Sequence, residues 1–591
     1  MLRGFRWQLI ALLIALAACA AAVLFRISRQ SALQATATAT PLFSETNVVE
    51  SRTPTATSLP ATNETSPTGR SIIAAPAATT FREGLVGSIQ RINPLFAHLN
   101  PPDQDIASLI FEGLFAINDY GEAVPRLAAE LVTSSDGLEY VVRLRNDIKW
   151  QDGMPFTADD AIYTFSMLSA AEYADFSTTA SFWQTVETQK LSSDLLRFRL
   201  VQPFSSFPVL LSIGILPEHA LRGTSVLDLA SHPFNLTPIG TGPYQLAALH
   251  SDAAQTITAA HLQRSPTHRE RQDAQLGFLF RDLIFRLFDS TEDAIGAYES
   301  GDIDALAVRG PPYRLLALPQ SQHFRQALSE LGVLIFNWSD SPFTERRVRQ
   351  ALALSLDLPQ LAQAHAGAAA VLADSPYILG SSVYQPSAFW HTYDLEKANT
   401  LLAAVELAPS AATAGDTDDE EDPEQIAPYR LLVEDSGQLR ELAGDIAAQW
   451  RQLGMDFSVE SVDARTLSNR LESGEFDAAI VTQRIGADRD LFRFWHPAQH
   501  GGGGNYGAAS HNEMAELIEI ARGETYAGRR ALLHQQIQEV FAEQALAIPL
   551  YYPLLTYIAR DSIEGLRLGF LTSPADRFRG IQHWRPATLA G

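Results

Sequence analysis

Apolar and polar positions recur along this chain with periods that mark short strands and amphipathic helices. From Tyr140 to Arg145 they alternate as in a half-buried strand, just after an Asp136-Gly137 turn signal. Asp152-Gly153 and Pro155 then punctuate the chain. Thr157 is placed to cap a helix, and Asp160, three residues on, completes a variant capping box. Ile162, Phe165 and Leu168 follow at helical spacing. Together Leu138–Leu168 packs a strand, a turn and a capped helix into one block.

The same reading extends along the chain. Strands are expected at Leu85–Ile89, Leu195–Val201, Leu283–Phe288, Gly332–Asn337, Gly454–Val462 and Ile548–Tyr552. Helices are expected at Asp103–Phe115, Thr291–Tyr298, after Thr344, and at Asp394–Leu402, Leu439–Leu453, Met514–Ala521 and Tyr526–Gln544. Pro238–Tyr244 (PIGTGPY) is glycine-rich but lacks the Gly-Lys-Ser/Thr ending of a phosphate loop, and Pro243 has no N–H for an anion. It is read as a turn.

Composition narrows the function class. A chain of 591 residues exceeds what one core serves, so two or more lobes are expected. Its 46% hydrophobic and 19% charged residues are those of a globular protein, and a net charge of −24 argues against a nucleic-acid partner. Cys19 is the one cysteine, which excludes an intrachain disulfide and a cysteine-based metal site. His98, His219, His365, His496, His500 and His511 lack close metal spacing. No His-Glu-x-x-His, Gly-x-Ser-x-Gly or paired-carboxylate motif is present, so no catalytic residue, metal or cofactor is expected. The acidic run at Asp418–Asp422 lacks EF-hand spacing and reads as a solvated loop.

The N-terminus supplies the compartment. Arg3 and Arg6 precede an apolar run, Trp7–Ala18, and Leu16-Ala17-Ala18-Cys19 resembles a lipobox. The run continues through Phe25, close to the ~20 residues that span a bilayer, so an uncleaved anchor stands beside the lipoprotein reading. Both place the remaining chain outside the cytoplasmic membrane. Ser31–Thr80 is rich in Thr, Ala, Ser and Pro and reads as a disordered tether with a span of roughly 40 Å.

Leu144, Arg145, Ile148, Lys149, Trp150, Asp152, Gly153, Pro155, Phe156, Thr157, Ala158 and Asp160 match in register a pattern close to LR-x-x-(I/V)-K-(W/F)-x-D-G-x-P-(F/V)-T-A-(E/D)-D. This resembles the diagnostic block of the family 5 extracytoplasmic solute-binding proteins, the oligopeptide, dipeptide and nickel receptors of ABC importers. Glu112-Gly113-Leu114, Pro238–Tyr244, Arg347–Asp357 and Asp394–Leu402 resemble further landmarks, so the likeness covers about residues 81–585.

The resemblance implies an α/β, two-lobed periplasmic-binding-protein-like fold, with mixed sheets flanked by helices, an extra inserted domain and a hinge between lobes. The implied division is 1–30 leader or anchor, 31–80 tether, 81–125 with 235–330 and 546–591 as a discontinuous first lobe, 126–234 inserted domain, and 331–545 second lobe. It also implies a monomer that captures a peptide or other small solute between its lobes and delivers it to a membrane permease. The Leu138–Leu168 block would sit in the inserted domain, away from the solute.

Peptide-binding members pair the solute's α-amine with an aspartate in a W-x-x-D-Y-x-D-P segment. The corresponding segment here is Arg484–Leu491, with Asp488 and Asp490 as candidates, but without the tryptophan and final proline. Arg484 and Arg489 add positive charge, which leaves an anionic or otherwise different solute open, including a metal chelate or oligosaccharide. Asn337 and Trp338 lie where the family chain crosses between lobes. Trp338, Trp390, Trp495 and Tyr506 are the aromatic candidates for enclosing a ligand.

Overall fold

The computed structural model describes residues 80–177, 179–269, 277–309, 318–339, 342–366, 370–386, 392–405, 428–500 and 504–587. The leader, Cys19, most of the tether, the acidic run, Trp390 and Gly501–Gly503 lie outside the described residues. No helix among those described is long and apolar enough to cross a membrane.

Strand Ile548–Arg560 organises the molecule. Sequence alternation reads only its first five residues, but the apolar run continues for thirteen. Residues 548–553 pair with Glu330–Phe336 and with Ala370–Leu372, whereas residues 554–560 pair with Ala305–Arg309 and Ser321–Ala327. Outward on one side follow Ala478–Arg484, Tyr429–Glu434 and Phe457–Val462; on the other, Thr80–Val86, Asp282–Phe288, Ile257–Arg264 and Tyr244–Ser251. The sheet is mixed, with parallel pairs grouped on either side of the central antiparallel strands, and helices cover it. Its two ends have separate hydrophobic cores, one built around Val333, Ile480, Trp450 and Phe541, the other around Phe81, Leu109, Phe285 and Trp584.

A small antiparallel sheet of Ala128–Thr133, Glu139–Leu144, Leu195–Arg199 and Glu187–Ser192 shares the second core. Here the Leu138–Leu168 pattern acquires its physical reason. The capping box forms as expected: Thr157 Oγ1 accepts from Asp159 N–H, and the Asp160 carboxylate accepts Thr157 N–H, at the start of helix Ala158–Ser169. Asp160 also accepts the Trp150 indole N–H at 3.3 Å and Glu218 N–H at 2.9 Å, so one buried carboxylate joins three segments. The Gln151 side chain ties this block to the glycine turn, donating to Tyr244 O and accepting from Gly240 N–H, both within 2.9 Å. A Cβ at Gly240 would meet Ile110 O at 1.8 Å, so this turn is a packing joint and lines neither pocket described below.

Two boundaries differ from the sequence reading. The helix expected over Asp103–Phe115 runs Pro101–Ile110, because beyond it Gly113 packs so closely that a Cβ would meet Ser212 O at 2.5 Å. The helix expected after a Thr344 cap begins at Arg346, with Glu345 at the N-cap position and no side-chain cap.

The terminal segment Pro574–His583 is fastened by a charge network. Fully buried Arg577 donates to Glu83 and, bidentately, to Asp105, each at 2.7 Å, and Tyr557 O–H donates to Glu83 at 2.9 Å. Burial pushes the Glu83 carboxyl up to about 7, against the pull of Arg577. Asp105 and Glu83 together outweigh burial and hold Arg577 charged. Arg577→Leu strands two carboxylates in this core, and urea unfolding at pH 7 is expected to show a loss of about 3–5 kcal/mol. The deficit should shrink at pH 5, where the Glu83 carboxyl, pushed up to about 7, takes up a proton.

Candidate functional site between the lobes

The chain leaving strand Ala478–Arg484 turns sharply over Gly486–Asp490. Ile485, Ala487 and Leu491 anchor this turn in the core, and Arg489 N–H closes it on Gly486 O at 3.0 Å. Arg489 adopts φ +55°, a left-handed conformation uncommon for a residue with a Cβ. Gly486 is needed beside it, because a Cβ there would lie 2.8 Å from an Asp488 carboxylate oxygen. The anchored, strained turn holds Asp488, Arg489 and Asp490 in the wall of a pocket of about 290 Å³, part of it open to solvent.

Four other stretches complete the pocket: Phe204–Ser206 beyond the small sheet, Tyr377, helix Asn512–Gly523 through Ile518, Ala521 and Arg522, and helix Ala527–Glu543 through Arg530, His534 and Ile537. The Leu138–Leu168 block does not line it, but the small sheet's neighbouring segment does, so that part of the chain is not remote from the cleft.

The charges are unevenly matched. Asp490 forms an ion pair with the Arg522 guanidinium, its carboxylate 3.1 Å from Nε, and accepts from Phe492 N–H at 3.0 Å. Arg489 Nη2 donates across the cleft to Tyr120 O and Gly121 O, while its buried Nε has no partner among the described residues. Arg530 donates Nη1 to Glu524 O, and its guanidinium makes no other hydrogen bond among those residues. Among the described residues Asp488 accepts one hydrogen bond, a long one of 3.5 Å from Asp490 N–H. Burial, and then the neighbouring Asp490 charge, push Asp488 up to about 6. Tyr377 and His534 share a 2.7 Å hydrogen bond, and burial, with Arg489 and Arg530 nearby, pushes His534 down to about 3 and keeps it neutral.

The residues singled out from sequence fall into three groups. Asp488 and Asp490 meet in this pocket. Trp495 and Tyr506 instead line a second one, of about 220 Å³, with Asn505, Gln483 and Phe336. There Trp495 Nε1 and Gln483 Oε1 are buried without a partner among the described residues. Asn337 and Trp338 line neither pocket. The Asn337 amide donates to Gly474 O and Phe476 O and accepts from Ser339 N–H, each at 3.0 Å. Trp338 carries the buried Arg349 guanidinium 3.6 Å from its ring centroid, and that guanidinium donates to the carbonyls of Phe343, Thr344, Gln544 and Ala545. Tyr377, Arg522, Arg530, His534 and Phe204–Ser206 gave no sequence signal, since each is an isolated residue in a distant segment.

Residues 122–505, more than half of the chain, match the family model of bacterial extracellular solute-binding proteins, family 5 middle. The oligopeptide-binding protein AppA of Bacillus subtilis (strain 168) is 23% identical over 499 residues, covering 82% of this chain and 88% of that one. The dipeptide-binding protein of Escherichia coli (strain K12) is 24% identical, covering 75% and 83%. The solved structure of B. subtilis AppA with a nonapeptide superposes with a TM-score of 0.64 at 20% identity, over 86% of this chain and 98% of that one. The match in fold agrees with the α/β, two-lobed architecture read from the sequence.

A carboxyl whose pKa is raised by folding binds more protons folded than unfolded, so stability falls as pH rises through the shifted range. For Asp488 that range is about pH 4 to 6. Asp488→Asn is therefore expected to stabilise the protein at pH 7 by about 1–2 kcal/mol, discounted for its partial exposure. The gain should vanish near pH 4, as read from denaturation midpoints at the two pH values.

Proposed function

This chain belongs to the bacterial extracellular solute-binding proteins of family 5, and from that premise we propose that it is the receptor of an ABC importer, capturing a peptide-like solute in the interlobe pocket for delivery to the permease. The observation that carries this reading is the uncompensated Asp488 carboxylate. It sits in a pocket where Asp490 is already matched by Arg522. An α-ammonium group supplies the charge partner that a half-buried carboxylate lacks. The free edge of the Arg530 guanidinium lines the same pocket and is available to the carbonyls or carboxylate of the same solute. The names of the relatives support a binding role, and among the described residues no group of His, Cys, Asp and Glu is arranged to hold a metal ion.

The division at residues 81, 126, 235, 331 and 546 is proposed with this function, supported by the two hydrophobic cores and the change of partners along Ile548–Arg560. Lipidation of Cys19 is the proposed attachment, supported by the lipobox-like Leu16–Cys19. Release of Cys19→Ser from the membrane fraction supports it, whereas unchanged retention favours an anchor.

The direct test adds di- and oligopeptides to the full chain and follows its melting. A true ligand at a hundred times its Kd adds about 2.7 kcal/mol. Asp488→Asn should remove the shift. Because Asp488 is pushed up to about 6, its carboxylate is lost as pH falls below that value. Calorimetric affinity for an amine-bearing peptide should then be about tenfold weaker at pH 5 than at pH 7.5. If no peptide moves the melting temperature while a metal chelate or oligosaccharide does, the peptide reading is wrong.

A further inference from the structure

Segment Phe204–Ser206 follows the last strand of the small sheet and is held from both sides of the cleft. On its own side, Tyr140 O–H donates to Phe204 O at 2.8 Å, and the Phe204 ring packs 5.7 Å from Phe182 in a buried aromatic cluster. On the far side, Ser205 N–H donates to Arg522 O at 2.7 Å. The Arg522 guanidinium lies between two rings, 5.3 Å from Phe204 and 4.3 Å from Phe492, while its Nε is paired with Asp490. Arg522 thus links the pocket's acidic turn to a segment of the small sheet's unit. Pro203, one residue earlier, packs against Gly523 across the same seam and does not line the pocket.

We propose that Phe204-Ser205-Ser206, latched by Arg522, is the end wall of the solute pocket and restricts it to short peptides. The proposal rests on the peptide reading above and adds the residues that set length. A longer peptide can be seated only by displacing the wall, which breaks the Ser205–Arg522 hydrogen bond and unstacks Arg522 from Phe204. Neither Phe204 nor Arg522 needs to touch the solute to exert this effect; they position the wall, and the readout is selectivity rather than affinity alone.

The test compares an Ala-Ser dipeptide with the hexapeptide of three Ala-Ser repeats, by calorimetry on the full chain. The wild type is expected to favour the dipeptide by about tenfold or more, the worth of roughly one lost hydrogen bond and its stack. Phe204→Leu keeps most of the core volume but loses the stack, and Arg522→Gln releases the latch; both should bring the two affinities to within about threefold. Equal affinities in the wild type, or a preference that survives in both variants, overturns the proposal. If the wild type binds neither peptide, it is the peptide reading that fails, and hydrogen exchange then decides the wall. A Ser205 amide that is protected in the wild type and exposed in Arg522→Gln upholds it, and a Ser205 amide exchanging at the rate of a free loop in the wild type overturns it.

Discussion

One strand has to serve two cores. Ile548–Arg560 donates and accepts in the ladders of both ends of the large sheet, and its partners change at Pro553. Proline brings no N–H, so the ladder is interrupted there, and the Pro553 carbonyl is taken by Leu328 N–H at 2.9 Å. Leu328 and Ser329 form the second crossing, between strands Ser321–Ala327 and Glu330–Phe336. Ser329 is fixed by two hydrogen bonds to Leu571 O, and Leu328, Leu555 and Leu571 form a small apolar cluster of their own. Two adjacent crossings of a few residues each thus carry the chain between the two cores.

The cleft inherits its chemistry from that arrangement. Strand Ala478–Arg484 pairs directly with the crossing strand Glu330–Phe336, so the turn at its end emerges beside these crossings with little freedom. Ile485 N–H on Ser329 O, at 3.0 Å, makes the link explicit. The strain at Arg489 and the cost of a half-buried Asp488 are tolerated because the strand and three buried apolar side chains over-determine the turn. On the proposed reading, the stability given up at Asp488 is what leaves that carboxylate for the solute's ammonium group.

Charge balance in the cleft is resolved pair by pair. Arg522 answers Asp490, Arg489 is spent largely on backbone carbonyls across the cleft, and Asp488 is left over. The arginines at 484 and 489, which in sequence suggested an anionic solute, do not neutralise Asp488. Arg484 is mostly exposed and turned toward Glu330, 3.4 Å away. The contrast with Arg349 is instructive: fully buried without a carboxylate, it is satisfied by four carbonyls and one indole face, and the conspicuous Trp338 is used there instead of in a pocket.

Much of the architecture was written locally. The Leu138–Leu168 pattern specifies its strand, turn and capping box because each depends on residues a few positions apart, and its Trp150, Asp152 and Asp160 serve that local fold. Asp488 and Asp490 were legible for the same reason, as neighbours in one turn with a family counterpart. The helix end at Ile110 was not, since a distant backbone at Ser212 decided it. Nor was the sharing of one thirteen-residue strand by both cores, since pairing partners hundreds of residues away set where a strand ends. The pocket is the extreme case. Phe204, Tyr377, Asp488, Arg522, Arg530 and His534 are unremarkable one by one, and only tertiary packing brings them together and determines which charge among them is left without a partner.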